Sequence, residues 1–419
     1  MGTYVERLWQ PEDTGGLSRK DRAAGRYLAY VPDELSLRLP QLGERAQSAA
    51  EDALVVLARA DERVGSRGGY LSHLLIRSES ISSSWIEGNR VTPKKLAIAE
   101  SLKQGTQAAL DVVANVRATE QAIAEISEHT REITTADLCA LQHVIEPRLE
   151  YGLRTEQNWV GGSGWSPLRA QFVPPPESDV PRLVDNLAQF ITATEGNPVV
   201  RAAIAHAQFE TIHPFVDGNG RTGRALIHSV LRRADAVRNS LIPISTVFAG
   251  NVDAYISGLT GFRQEPALLD DWVIAFAEAT ERAAANAVKL AQLVSELDEE
   301  LAEQFVSFRR ESGVVPNAPR RDAVTVKILD SLSGDPVLTA ESVTSRFGVS
   351  PASAHRALGE LEAAKILSRT KDHKGKLLCW TADRYLSLVA LTERSNRVGG
   401  VDTQGKKIRL GPPAPAREQ

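Results

Sequence analysis

Cysteine is almost missing from this 419-residue chain: there are two, Cys139 and Cys379. They stand far apart, each within an apolar pattern. A disulfide framework is therefore excluded, and buried free thiols in a reducing compartment are expected. Methionine occurs once, and aromatic residues make up 5%. No apolar run approaches the roughly 20 residues that span a bilayer, and the polar, mixed-charge stretch 1–26 lacks a signal-peptide core. A cytoplasmic protein without a membrane partner is the expectation. An excess of one charge is missing too, with 49 Lys and Arg against 53 Asp and Glu. Nothing global demands nucleic acid or an anionic surface. What remains is a globular composition, 42% apolar and 24% charged. The length exceeds one ordinary core, so two or three domains are expected.

From about Leu42 to Arg310 the apolar residues recur at three and four, with Gly and Pro confined to gaps, which predicts helices. The first 40 residues, with Gly15-Gly16 and several prolines, are expected to lie extended on a core built later. Residues 153–176 break the rhythm. Trp159, Val160, Phe172 and Val173 flank Gly161-Gly162-Ser163-Gly164, and three prolines follow, which predicts a β-hairpin with a glycine-rich tip. Ala283–Phe308 predicts one long amphipathic helix with Leu290, Val294, Leu297, Leu301 and Phe305 on one stripe. It could pair with a second copy as a homodimer, but three heptads favour packing on its own domain. Residues 311–321 read as a linker. Beyond it, Thr339 and Ser350-Pro351 mark helix starts around a Gly348 turn, and Ser368–Thr381 predicts a two-stranded wing turning at Lys374-Gly375. This predicts a winged helix–turn–helix unit over 321–391. The segment 392–419 has no core-forming pattern and is expected to be disordered.

The chemistry concentrates in His213-Pro-Phe-Val-Asp-Gly-Asn-Gly-Arg-Thr-Gly-Arg224. Pro214 forces His213 out of the helical region, so the preceding helix should stop there. Gly218 and Gly220 allow a tight turn that opens directly into the next helix. Its free amides and positive dipole end form an anion site. Arg221 and Arg224, three apart, are expected to project from one face toward the oxyanions of a polyphosphate. Asp217 is a hard oxygen ligand suited to Mg²⁺ shared with phosphate, and His213 can accept a proton from an attacking hydroxyl. Phe215 reads as a buried anchor of the loop, and His206 and His228 read as structural.

The segment 213–224 resembles the signature of the Fic family, with no position missing. The resemblance implies a mostly α, helical Fic-type core in which a Ser, Thr or Tyr hydroxyl of a target protein attacks the α-phosphate of ATP. AMP is then transferred and pyrophosphate leaves. It implies His213 as base and Asp217 as the Mg²⁺ ligand. Asn219 and the Gly218 and Gly220 amides would hold the α- and β-phosphates, and Arg221 and Arg224 the β- and γ-phosphates. The hairpin 153–176 looks like the family's flap, which binds the protein substrate through its strand edge. Asn251 and Tyr255 resemble residues beside the nucleoside.

Glu87 closes a helix before Gly88, where a carboxylate faces the negative end of the dipole and wants a cationic partner. The stretch from Ser83 to Gly88 also matches the family's inhibitory helix, here about 79–88. That resemblance implies that Glu87 pairs with Arg224, with Ser83 near the anion site, so that the γ-phosphate cannot seat. The division expected is 1–110 with the inhibitory helix, 111–282 as catalytic core, 283–320 as long helix and linker, then the winged helix and the tail. Two alternatives stand beside autoinhibited AMP transfer. One is a DNA-binding regulator, weakened because 321–391 carries ten Lys and Arg against eight Asp and Glu, a net of +2. That unit could equally serve protein contacts. The other is the same site phosphorylating its target or removing AMP from it.

Overall fold

The computed structural model describes residues 2–11, 18, 21–65, 69–126, 128, 131–264, 268–371, 375 and 378–395. Two antiparallel strands come first, β1 (Thr3–Trp9) and β2 (Gly25–Val31), in register from Thr3 opposite Val31 to Trp9 opposite Gly25. The start of the chain is thus a hairpin rather than a simple extended segment. Its Tyr27 and Ala29 are buried against Trp159 and Val173, partners more than 130 positions away that no local pattern could announce.

Helices α1 (Glu44–Gly65), α2 (Gly69–Ile86), α3 (Pro93–Leu102), α4 (Gln107–Gln121) and α5 (Thr135–Ile145) follow. Next come α6 (Val180–Ala193), α7 (Pro198–Ile212), α8 (Asn219–Arg233), α9 (Ser245–Gly250) and α10 (Val252–Arg263). In α1 the buried residues Ala46, Ala50, Ala53, Leu57, Ala60 and Val64 recur at four and three, so one narrow stripe faces the core. From Val199 to Ile212 helix α7 is buried at every position except Glu210, as expected of an element with apolar residues all round.

Helix α11 (Leu269–Glu311) starts earlier than its amphipathic stripe suggested, because Trp272, Val273 and Phe276 already pack in the core. The boundary expected at 282/283 falls inside this one helix, and that at 110/111 falls inside α4. The stripe from Leu290 to Phe305 belongs to the chain's own core.

The C-terminal part contains α12 (Val324–Ser331), β3 (Val337–Leu338), α13 (Ala340–Phe347), α14 (Pro351–Ala363), β4 (Ser368–Lys371), β5 (Leu378–Thr381) and α15 (Asp383–Ser395). The sheet order is β3-β5-β4, all antiparallel. Thr339 and Ser350 cap α13 and α14, and Gly348 turns with a φ of 64° between them. Lys374 of the wing turn and residues 396–419 of the tail lie outside the described residues.

This part packs on the helices before it. Ala97 of α3 shares a cluster with Val337, Cys379 and Leu386. Arg77 of α2 donates to the Gly334 carbonyl at 2.7 Å, and Gln304 of α11 to that of Ala364 at 2.7 Å. Both cysteines are buried. Among the described residues no helix is long and apolar enough to cross a membrane.

The segment 153–176 differs from the regular hairpin expected. It closes through two isolated bridges, Val160 with Phe172 and Ser163 with Ser166, and a single 3₁₀ turn at Pro167–Arg169. Tyr30 of β2 donates its amide to the Val173 carbonyl at 2.9 Å, so the first hairpin extends this flap. Glycine-rich sequence and prolines shorten the ladder, since neither favours extended pairing.

Candidate functional site

Helix α7 ends where Pro214 requires it to. His213 caps it in the left-handed region at φ 49°, and its amide still donates to Phe209 at 2.9 Å. Gly218 takes φ 81°, a conformation that a side chain would strain, and α8 starts at the next residue. Asn219 ties the loop to itself. Its Oδ1 accepts from the Phe215 amide at 2.9 Å and its Nδ2 donates to the Phe215 carbonyl at 2.8 Å. Phe215 is fully buried against Phe209. The flap's base locks the same loop. Arg154 Nε donates to the His213 carbonyl at 3.0 Å, and Asn158 Nδ2 to the carbonyls of His213 and Phe215 at 3.1 and 3.0 Å.

A narrow cavity of about 70 Å³ opens at this loop, lined among others by Glu87, Glu210, His213, Asp217, Gly220, Arg224, Tyr255 and Arg263. The His213 ring is buried with its Nδ1 making no hydrogen bond, and burial together with Arg154 lowers its pKa to about 3. At neutral pH the imidazole is therefore uncharged, the form a base requires. Arg224, 1% exposed, donates from Nε to Ser83 Oγ at 2.9 Å and from Nη2 to the Ser83 carbonyl at 2.8 Å. The same Nη2 lies 2.7 Å from Glu87 Oε1. Burial opposes its charge, but Glu87, with Tyr255 and Glu210, holds the guanidinium pKa above its usual value. A Cβ added at Gly220 would overlap the Glu87 carboxylate, so only a glycine admits that anion over the first turn of α8.

Four of the residues named from the sequence sit differently from the expectation. Arg221 does not line the cavity. Its Nη2 pairs at 2.6 Å with Glu146 Oε1, just beyond the end of α5, with side chains 9% and 7% exposed. A spacing of three leaves two side chains about 60° apart around a helix, and each long side chain has followed its own carboxylate. The Asn219 side chain is consumed within the loop, as described above. The Gly218 amide is taken by Asp217 Oδ1 at 2.6 Å. Asn251 is exposed and caps α10, accepting from the Ala254 amide at 3.1 Å. Tyr255 does line the cavity, buried, with its hydroxyl 2.8 Å from His206 Nε2. Asp217 borders the cavity with its side chain 53% exposed.

Glu210 was not legible as a site residue. It reads as one more position of a buried helix, yet it faces the cavity with Oε1 out of solvent and without a hydrogen bond. Burial pushes its pKa up to about 7, with Arg224 opposing and Glu87 adding to the rise. Arg263, beside it, stacks 3.7 Å from the Phe172 ring, and burial lowers its pKa to about 10. A larger groove of about 340 Å³ lies between residues 32–40 and α6, α7 and α10.

With this geometry in hand, the comparisons fall on the same segment. Residues 132–231 match the model of the Fic/DOC family. A probable protein adenylyltransferase of Aquifex aeolicus is 38% identical over 91 residues, covering 22% of this chain and 26% of that protein. The protein adenylyltransferase Fic of Drosophila mojavensis is 28% identical over 237 residues, covering 54% of this chain and 42% of that one. The match thus spans less than half the length of either relative. Among solved structures, a Fic family protein from Desulfovibrio desulfuricans G20 aligns with a TM-score of 0.46 at 21% identity, over 79% of this chain and 95% of that chain. Over residues 132–231 this chain is thus similar to the Fic/DOC family. It is related to protein adenylyltransferases.

Proposed function

We propose that this protein transfers AMP from ATP to a hydroxyl of a protein, itself included, and that Glu87 holds it inactive in the arrangement described. The observation that carries this is the Glu87 carboxylate, which lies against Gly220 at the start of α8 and is paired to Arg224. An anion already rests on the helix N-terminus beside a buried arginine, which is the place a phosphate oxygen would take. The cavity left over, about 70 Å³, is well below the roughly 300 Å³ at which small-molecule sites begin. Nucleotide entry therefore requires Glu87 to move.

Once Glu87 is displaced, the Gly220 amide and Arg224 would bind phosphate oxygens. Among the described residues no group of three or more His, Cys, Asp or Glu could hold a metal ion. Asp217 alone would therefore hold Mg²⁺ jointly with phosphate, as that ion commonly is held. Bound there, ATP with Mg²⁺ supplies the activated α-phosphoryl group and an outgoing pyrophosphate. His213, buried and uncharged, would take the proton of the attacking hydroxyl. Tyr255 would wall the nucleoside side. The flap, bonded to the loop through Arg154 and Asn158, would present the target chain along its edge.

The test uses ATP labelled separately at the α- and γ-phosphates, with Mg²⁺ and a Glu87→Gly chain. The α label should enter protein and the γ label should not, and His213→Ala should remove all incorporation. Incorporation of the γ label instead would mean phosphoryl transfer and would refute AMP transfer.

A further inference from the structure

Helices α2 and α8 run antiparallel, and a single polar seam joins them. Glu79 and Ser83 of α2 and Glu87, the residue just after it, are four apart, and they meet His228, then Arg224, then Arg224 again above Gly220. The far end of this seam is buried more deeply than the end at the cavity. Glu79, His228 and Ser245 are 1%, 4% and 1% exposed. Glu79 Oε2 accepts the Ser245 amide at 2.9 Å, and Oε1 accepts the Ser245 hydroxyl. His228 Nε2 lies 3.0 Å from the same Oε1, at ion-pair distance but out of line for a hydrogen bond. Glu79 thereby bonds α2 to α9 at Ser245, with His228 of α8 packed against the same carboxylate.

Such a cluster is costly, because a buried carboxylate forfeits its hydration. Its neighbours on α2 explain what it contributes. Ser78, Ser80, Ser82, Ser83 and Ser84 are all buried and of one size. Apolar packing fixes a helix by the shapes of its knobs; between Ile76 and Ile86 only Ile81 supplies a buried one, and the serines add little. A slip of one turn, about 5.4 Å, would exchange one serine contact for another and carry Glu87 off Arg224. Groups with directional, buried partners resist that slip: Asn115 donates to the Ser80 carbonyl at 3.1 Å, and Glu79 accepts from Ser245.

We infer that Glu79, held by Ser245 and His228, is the positioning residue that fixes the register of α2 on α8 and so seats Glu87 over the start of α8. This rests on the reading of Glu87 as an inhibitory group. Glu79 touches neither the cavity nor the reacting atoms.

The experiment is a two-by-two comparison of the full chain: the parent, Glu79→Gln, Glu87→Gly and the double variant. Self-labelling from α-labelled ATP with Mg²⁺ is measured, together with amide hydrogen exchange over residues 79–88. Glu79→Gln should raise labelling by about tenfold, the range of one lost charge-assisted hydrogen bond. It should speed exchange in the last turn of α2. In the Glu87→Gly background the same change should alter labelling by less than about twofold, because the group it positions is gone.

If labelling falls in both backgrounds, Glu79 only supports the fold and the inference is wrong. The inference is equally wrong if Glu87→Gly gains labelling while Glu79→Gln does not. If Glu87→Gly itself shows no gain, the inhibitory reading fails, and the exchange data then decide the register claim alone: unchanged exchange in Glu79→Gln overturns it. Should Glu79→Gln not fold, Ser245→Ala removes the hydroxyl that Glu79 accepts and must give the same pattern.

Discussion

Glu87 Oε1 and Arg224 Nη2 stand 2.7 Å apart between α2 and α8, and the arginine is 1% exposed while the glutamate side chain is 21% exposed. The arginine cannot follow the glutamate into solvent. When Glu87 leaves, Arg224 remains buried beside Ser83, Tyr255 and Glu210 but without its paired carboxylate. A Glu87→Gly chain without nucleotide should therefore be less stable than the parent by about 2 kcal/mol, seen as a lower midpoint in thermal unfolding. ATP with Mg²⁺ should raise that midpoint further in the variant than in the parent. Equal shifts in both would show that Glu87 does not occupy a phosphate position.

Arg221 gives a second, opposite expectation. Its pairing with Glu146 is buried at both ends. Arg221→Ala leaves Glu146 with only the half-exposed Arg148, 3.1 Å away, and should cost about 1–3 kcal/mol in urea unfolding. Nucleotide affinity, measured at a temperature where the variant stays folded, should change little by comparison. A large loss of affinity with unchanged stability would return Arg221 to the phosphate role that its spacing suggested.

Glu210 links stability to pH. Its folded pKa, about 7, is raised above the ordinary carboxylate value. The folded state thus binds more protons than the unfolded one between those two values, and stability falls as pH rises across that interval. Glu210→Gln cannot ionise and should escape this slope. The variant's melting temperature relative to the parent should rise between about pH 4.5 and 7 and then level off. A difference independent of pH would mean that Glu210 is ionised throughout.

His213 should leave its mark on the rate instead. With its pKa near 3 the base is uncharged well below neutrality. α-Label incorporation by the Glu87→Gly chain should therefore stay level from about pH 7.5 to 5.5, where an ordinary imidazole of pKa about 6.5 would lose most of its activity. A tenfold fall over that range would contradict the buried, uncharged histidine.

How much of this was legible depended on distance along the chain. The 213–224 loop is written in local terms, since Pro214, Gly218 and Gly220 each dictate a backbone angle and the chemistry lies within twelve residues. Gly88, with φ 83°, ends the α2 region as its position implied, and Glu87 finds the cation that a carboxylate at a helix C-terminus calls for. The capping residues of α13 and α14 were local for the same reason. The pairing of Arg221 with Glu146 could not be read locally, because that partner lies 75 residues upstream. Arg154 and Asn158 sit in what reads as an ordinary hairpin, and only the fold brings them to the carbonyls of the loop. Periodicity marks where the long helix is amphipathic, so the start of α11, buried by Trp272 and Phe276, escaped it. Glu79 is one polar residue in a serine-rich helix until His228 and Ser245 stand beside it.

The most direct measurement is self-labelling from α-labelled ATP with Mg²⁺ by the parent chain and by Glu87→Gly, side by side. The expected result is little or no label on the parent and at least about tenfold more on the variant, in line with removing one buried charge-assisted contact. Equal labelling of the two chains, or loss of label in the variant while it remains folded, would contradict the claim that Glu87 holds the site closed.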